Sequence, residues 1–176
     1  GYDSLFTLAT VIEKGGISSG TAILMRKDLL STILKCPWPN RVSLAIVQVP
    51  AVDDIVFGSR YGNVDSHEDT REMIRILARV LANTGKPFIL AGGWNTEPEE
   101  MEEWWAETSC PHVICISNKP TCHKGIIPRL IDYFILHPKI APVCSSVAHR
   151  AEGATFPHIA AIITILSDLA HEKVFF

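Results

Sequence analysis

The sequence has no excess of one charge, no long apolar run and no regular cysteine pattern, and each absence argues against a class of protein. Sixteen Lys and Arg residues against nineteen Asp and Glu residues give a formal net charge of -3. The chain therefore lacks the concentrated positive field that is typical of nucleic-acid-binding proteins. No stretch reaches the roughly eighteen apolar residues that a membrane-spanning helix requires. Since 47% of the residues are hydrophobic, we expect residues 1–176 to form a single domain with a substantial core.

The cysteines are few and irregularly spaced. An odd number, five, argues against a disulfide framework and favours a reducing intracellular compartment, which includes the interior of an organelle. Several metal-ligating residue types do occur close together in the sequence. Their spacing does not follow the paired pattern of structural zinc sites, so we predict no metal site and no cofactor there. The residues concerned are Cys110, His112, Cys115, Cys122 and His123.

Hydrophobic patterning predicts about eight strands and two or three helices. An early strand ends before a Gly/Ser-rich turn and returns as an antiparallel partner at residues 20–26, and the last predicted strand is apolar enough to be central in a sheet. The predicted strands cover residues 5–12, 20–26, 42–49, 55–61, 88–90, 113–116, 130–136, 143–148 and 159–166. Two stacked mixed sheets with helices outside fit this order of elements.

The clearest predicted helix follows Ser66, which forms a capping-box pattern with Asp69. Apolar residues then recur at three- and four-residue steps until Gly85 ends the run. A second helix begins at Pro98 with several acidic residues in its first turn. The first helix carries Arg71, Arg75 and Arg79 in one stripe, which is either a phosphate-contacting surface or, more commonly, a solvated face.

Three short segments carry the residues that suggest chemistry. The run from Phe88 ends at Gly92 and Gly93 and presents Asn95 just past the strand end, where an α/β sheet commonly places a reactive group. Asp132 is an acid within an apolar strand, which is costly unless the carboxylate is paired. The third segment is Phe156-Pro157-His158.

In order and spacing, these segments resemble three motifs of the endonuclease/exonuclease/phosphatase superfamily, the Mg-dependent phosphodiesterases. The family motifs usually read GDxN, a strand with DY, and SDH. The resemblance implies an α/β fold, a four-layer α/β/β/α sandwich of two stacked mixed sheets. It also implies that Asn95 donates a hydrogen bond to a phosphate oxygen, that Asp132 orients His158, and that His158 contacts the scissile phosphate or positions the nucleophile. Tyr61 or Arg60, at the end of another strand, would face the phosphate, and the sequence does not decide between them.

The sequence departs from the family pattern in three places. Gly93 and Pro157 stand where the family carries acids. The family's metal-binding Glu, with an Asn before it, lies in an N-terminal segment that this chain does not contain, so we expect the fold to be incomplete on that side. Glu13 is the only early acid near a strand end, and we do not expect it to replace the missing ligand.

Three hypotheses about function follow. The first is a catalytically degenerate phosphodiesterase fold that serves as a non-catalytic structural or interaction subunit, with other protein subunits as partners. The second is a Mg-dependent phosphodiesterase or nuclease whose missing metal ligands lie outside this chain. The third is a mobile-element-type endonuclease domain, because Trp94-Asn95 and Pro157-His158 resemble the GxDWN and SPH variants of the motifs. In the first hypothesis Asn95, Asp132 and His158 are a relict site, or Asp132 and His158 are simply a buried pair; nucleic acid remains a possible partner that the charge does not favour.

Overall fold

The computed structural model describes residues 1–7, 10–11, 17–18, 20–38, 40–49, 54–63, 66–123, 126–150, 158, 160–165 and 173–175. Two α-helices lie among them, α1 His67–Thr84 and α2 Pro98–Ala106. The strands are β1 Tyr2–Phe6, β2 Thr10–Val11, β3 Ile17–Ser18, β4 Ala22–Arg26, β5 Ser31–Leu34, β6 Val42–Val47, β7 Ile55–Tyr61, β8 Phe88–Gly93, β9 Val113–Cys115, β10 Asp132–Leu136, β11 Cys144–Arg150, β12 Ala160–Ile165 and β13 Lys173–Phe175. A 3-10 turn covers Ala141–Val143.

The main sheet has six strands in the order β5-β6-β7-β8-β10-β9. It is mixed, because β7 and β8 run parallel while the other neighbouring strands are antiparallel. Helix α1 lies between β7 and β8 in the chain and supplies the crossover that parallel strands require. The remaining strands form a β1-β4 pair, a β11-β12-β13 sheet and a short β2-β3 pair.

Each face of the main sheet is covered by a different layer. On the outer face, buried residues of α1 and α2, among them Leu77 and Trp105, pack against alternate residues of β6, β7, β8 and β10. On the inner face, Ile23 and Met25 of β4 and Ile163 of β12 pack against the other alternate residues of the same strands. The prediction of an α/β sandwich with two stacked β layers is confirmed. The described residues supply three of its predicted layers, helix, sheet and sheet.

Helix α1 forms where the sequence predicts it. The Ser66 side chain accepts a hydrogen bond from the Asp69 backbone N–H at 3.1 Å, and Gly85 ends the helix with a left-handed φ of 63°. The apolar stripe of Met73, Ile74 and Leu77 is buried against the sheet. The capping and periodicity therefore fix both the ends and the orientation of this crossover helix.

Several strand boundaries differ from those predicted. The early hairpin is present, since β1 pairs antiparallel with β4, but its Gly/Ser-rich turn lies mostly outside the described residues. Strands β5 and β13 were not predicted, and β8 continues to Gly93 because its last residues pair with β7 and β10. The strand predicted at residues 130–136 begins at Asp132 in the structure, so this acid lies at the start of β10 and not in its interior.

Neither helix in the described part of the chain is both long and apolar enough to cross a bilayer.

Candidate functional site

Three strand ends lie side by side at one edge of the main sheet. Gly93, the last residue of β8, is in register with Tyr61 on β7 and with Asp132 on β10. A Cβ atom at Gly93 would lie 3.0 Å from Asp132 Oδ1 and 3.9 Å from Tyr61 Cδ2. Position 93 therefore points between these two side chains, and as glycine it contributes no functional group there.

The structure brings Asp132 and His158 into direct contact. His158 Nδ1 lies 2.9 Å from Asp132 Oδ2, and the two side chains are 36% and 22% exposed, respectively. Because a carboxylate only accepts hydrogen bonds, the imidazole donates from Nδ1. In the neutral ring Nε2 then carries no proton and can accept one. This pair is half-buried at the rim of the sheet and is not sealed within the core.

A turn preceding β10 supports this pair. The buried Thr121 Oγ1 accepts hydrogen bonds from the backbone N–H groups of Ile131 and Asp132, at 3.2 and 2.9 Å. Cys122 forms single-residue β bridges with both Arg129 and His158. Its Sγ lies 3.9 Å from His158 Nε2, so His158 lies between a carboxylate and a thiol. Sequence reasoning did not assign Thr121 and Cys122 to the site, although the polar turn before the Asp132 strand was a usable signal.

Asn95 belongs to the neighbouring turn and has a different partner. Its backbone adopts a left-handed φ of 54°, which short polar residues tolerate better than most. Its Nδ2 donates to the Gly62 carbonyl at 2.9 Å, and a Cβ at Gly62 would lie only 2.1 Å from the Trp94 carbonyl oxygen. The segment after β7 and the turn after β8 therefore approach so closely that position 62 must be glycine. This approach places one N–H of the Asn95 amide against the end of β7.

The alternation of β7 resolves the choice between its last two residues. Tyr61 lies on the same face as Gly93 and Asp132, whereas Arg60 points into the helix-covered face and is 2% exposed. The Arg60 guanidinium carbon lies 4.4 Å from the centre of the Trp94 ring. Its three side-chain nitrogens have no hydrogen-bond partner among the described residues, and burial lowers the pKa of Arg60 well below its usual range, to about 9. Tyr61 is therefore the strand-end residue that faces the candidate site.

The cysteine- and histidine-rich segment is dispersed by the fold. Cys110 belongs to the core on the helix-covered face, Cys115 packs against the inner core, and Cys122 contacts His158. The ring of His112 packs at a tilt against the ring of Trp105, with the centroids 5.5 Å apart. These residues therefore lie in separate environments rather than around one point.

The oxygen atoms that the described residues bring to this site do not match the needs of a divalent magnesium ion. Such a cation takes about six oxygen ligands, usually with one or more free carboxylates. Here one oxygen of Asp132 is bound to His158, and position 93 has no side chain. Among the described residues, no three His, Cys, Asp or Glu side chains converge in a manner suited to a metal ion. Pro157 and Glu13 lie outside the described residues.

The arginine stripe of α1 is largely neutralised by acids. Arg71 pairs with Glu107, and Arg75 contacts Glu107 at 3.3 Å and Glu72 at 3.3 Å. Glu107 follows the last residue of α2, so the two helices are linked by these exposed ion pairs. The pKa of Glu107 is lowered, first by its hydrogen bond from Arg71. Arg71 and Arg75 therefore connect α1 to the end of α2 through their ion pairs with Glu107.

This chain has the fold of the endonuclease/exonuclease/phosphatase proteins, which the motifs predicted. It is similar to the endonuclease domain of TRAS1, a telomere-specific non-LTR retrotransposon, with a TM-score of 0.71, 15% identity and coverage of 94% of this chain and 81% of that domain. The 3′-5′ exonuclease NExo of Neisseria meningitidis gives a TM-score of 0.63 at 15% identity, covering 94% and 80% of the two chains.

A phosphatase has a comparable similarity. The mannosyl-6-phosphatase Bt3783 of Bacteroides thetaiotaomicron VPI-5482 gives a TM-score of 0.62 at 13% identity, and the match covers 95% of this chain and 78% of that one. No protein-family model and no curated protein matches the sequence. At such low identities the comparisons show the fold alone, and nucleases and a phosphatase share it.

Proposed function

We propose that this chain is a catalytically degenerate phosphodiesterase fold that serves as a non-catalytic structural or interaction subunit of a larger assembly. The observation that carries the proposal is the position of Gly93. Its missing side chain points directly at Asp132, at the place where the resembling family carries an acid. Without a carboxylate there, the site has no group at that position to hold or deprotonate a water molecule.

The contacts of the remaining polar residues support this proposal. Asp132 is committed to His158, and one Asn95 N–H is committed to the Gly62 carbonyl. His158 Nε2 faces the Cys122 thiol at 3.9 Å. Each of these side chains has an internal partner, which is the arrangement of a site whose polar groups now stabilise one another. Other protein subunits are the proposed partners, since the net charge of -3 does not favour nucleic acid.

The second candidate is a metal-dependent phosphodiesterase or nuclease that draws its missing ligands from outside this chain. The observation in its favour is the Asp132–His158 pair, which is formed and partly open to solvent beside Asn95's turn. Similarity to an endonuclease domain over most of both chains is compatible with it. The two candidates differ in one measurable property, metal-dependent turnover.

A phosphodiester reporter separates the two candidates. We expect the wild-type chain to show no turnover with Mg²⁺ or Mn²⁺ at any concentration, because no acid occupies position 93. Gly93→Asp tests whether the rest of the site is intact, with Gly93→Asn as the uncharged control of similar size. If Gly93→Asp gains activity of about 10²-fold over Gly93→Asn, the loss of that acid was the decisive step.

Wild-type turnover that disappears in His158→Gln would contradict the proposal and establish the enzyme. The interaction role is tested separately, by isolating the native protein without overexpression and identifying the subunits that elute with it. We expect other subunits to elute with it, at a mass well above that of its own polypeptide. Elution of the native protein as a free monomer would contradict the subunit role.

A further inference from the structure

Cys122, His158 and Asp132 are joined by consecutive hydrogen bonds, an arrangement that the proposed function does not use. Asp132 Oδ2 lies 2.9 Å from His158 Nδ1, and His158 Nε2 lies 3.9 Å from Cys122 Sγ. The three residues come from a turn, a strand end and a later segment of the chain, and the fold brings them together. A carboxylate that fixes the imidazole tautomer leaves Nε2 ready to accept a proton from the thiol.

We propose that Cys122 is a reactive thiol that undergoes exchange with small disulfides, with His158 as its base and Asp132 as the residue that positions the base. In this step the Cys122 S–H proton passes to His158 Nε2. The thiolate sulfur then attacks one sulfur of the disulfide, a new S–S bond forms, and the original S–S bond breaks. The departing sulfur leaves with the electron pair and takes the proton from the imidazolium, so Cys122 is oxidised and the departing sulfur is reduced.

The other four cysteines lack this arrangement. Burial raises the pKa of the thiols of Cys36 and Cys144, and it raises the pKa of both Cys110 and Cys115 to about 11. A thiol with a raised pKa has little thiolate near neutral pH and reacts slowly. Reactivity is therefore expected to concentrate at the cysteine that contacts a histidine.

Solvent access at these three residues is limited but real. Cys122 is 5% exposed, almost the same as Cys110 at 4%, whereas the adjoining His158 side chain is 36% exposed. The proposed route of a small disulfide to Cys122 is over this imidazole. Cys110 and Cys122 are almost equally buried, and of the two only Cys122 has a hydrogen bond to a histidine within the described residues.

Glutathione disulfide is the probe for this proposal. The folded protein is incubated with it at neutral pH, quenched in acid, and the adduct on each cysteine is followed over time by peptide mass spectrometry. We expect Cys122 to react about tenfold or more faster than Cys110, and His158→Gln to slow Cys122 by about tenfold or more. Asp132→Asn should slow it less, and His137→Gln, at the other end of β10, should leave it unchanged.

The remaining cysteines report on folding in every variant. If His158→Gln unfolds the chain, Cys110 and Cys115 become reactive as well, and His158→Asn is measured in its place. Equal rates for Cys122 and Cys110 in the wild type would overturn the proposal. So would an unchanged Cys122 rate in a folded His158 variant, since the thiol would then react without its base.

Discussion

The two faces of the main sheet use the same three strand ends in opposite ways. Consecutive residues point to opposite faces of a strand, so Tyr61, Gly93 and Asp132 lie on the inner face. Their immediate sequence neighbours, Arg60, Trp94 and Tyr133, lie on the helix-covered face. One edge of one sheet thus carries two distinct groups of side chains, separated by the thickness of the backbone.

On the inner face, polar groups are joined to polar groups. Asp132 accepts from His158, and Thr121 Oγ1 accepts from two backbone N–H groups of the chain entering β10. Such pairing offsets the cost of removing these groups from water. This face therefore keeps its carboxylate and imidazole in a defined geometry while both remain partly open to solvent.

On the helix-covered face, the side chains at the strand ends pack mainly through aromatic rings. Trp94 stacks on Tyr133 with the ring centroids 5.6 Å apart, and the Arg60 guanidinium lies over Trp94. The Trp94 indole N–H donates to the Tyr133 carbonyl at 2.9 Å, and the Tyr133 hydroxyl donates to the Thr96 carbonyl at 3.1 Å. The stack thereby holds the turn that carries Asn95, so the buried face fixes the geometry of the exposed one.

Truncating the ring at the centre of the stack should have the largest effect. Trp94 is fully buried, so Trp94→Ala removes its packing, its hydrogen bond and the surface on which Arg60 lies. We expect a loss of about 3–5 kcal/mol in the free energy of unfolding, measured by urea denaturation. Tyr2→Ala is the control, because Tyr2 is 68% exposed and its truncation should cost less than about 0.5 kcal/mol. Similar losses for both variants would mean that the stack does not hold the turn.

Thr121→Val tests the hydrogen bonds on the inner face. The substitution keeps the side-chain volume but leaves the N–H groups of Ile131 and Asp132 without their acceptor, at a cost of about 1–3 kcal/mol for each buried group. Since the hydrogen bond to the Asp132 N–H is only partly buried, we expect a total loss in the lower part of the summed range, about 2–4 kcal/mol, by the same denaturation. Thr121→Ser retains the oxygen and should lose much less. A larger loss in Thr121→Ser than in Thr121→Val would show that the threonine methyl group, and not the oxygen, supports β10.

The fold was largely predictable from the sequence because its signals are local. The Ser66 cap, the left-handed Gly85 and the apolar stripe of α1 define a crossover helix, and the apolar runs define most strands of the main sheet. Strands β5 and β13 were not predicted, although each pairs with its neighbour along the chain, β6 or β12. Both are short strands at the edge of a sheet, with four and three residues, and so short a stretch leaves a weak local pattern.

The candidate site was predictable only in part. The Asp132–His158 contact was expected, and the structure forms it. The choice between Arg60 and Tyr61 required knowing which residues of β7 face the site. A shift of one residue in the strand register exchanges the two faces, and the sequence does not fix that register. The polar turn before the Asp132 strand was a usable signal, but the contact of Cys122 with His158 was not predictable, because no spacing in the sequence reveals the bridge between these residues.

The smallest expected effect comes from the buried charge on the helix-covered face. Arg60→Met retains an unbranched apolar side chain over Trp94 while removing a guanidinium whose nitrogens have no hydrogen-bond partner within the described part of the chain. The variant loses a cation–π contact of about 0.5–2 kcal/mol but avoids the larger cost of desolvating an unpaired charge. We expect a net gain of about 1–3 kcal/mol at pH 7, whereas Arg60→Lys, which keeps a charge, should show no gain.

The stability difference between Arg60→Met and the wild type should decrease as the pH rises. The folded chain releases the Arg60 proton near its pKa of about 9, whereas the unfolded chain holds it up to the higher, usual pKa of arginine. Between these values the unfolded chain binds more protons, so wild-type stability gains from this group as the pH rises. The advantage of Arg60→Met is therefore complete below pH 9 and shrinks above it, which denaturation at pH 7 and pH 10 measures as a difference between variants. An Arg60→Met variant less stable than the wild type at pH 7 would show that ring stacking outweighs the cost of burying the charge, and the two faces would then differ less than their hydrogen bonds suggest.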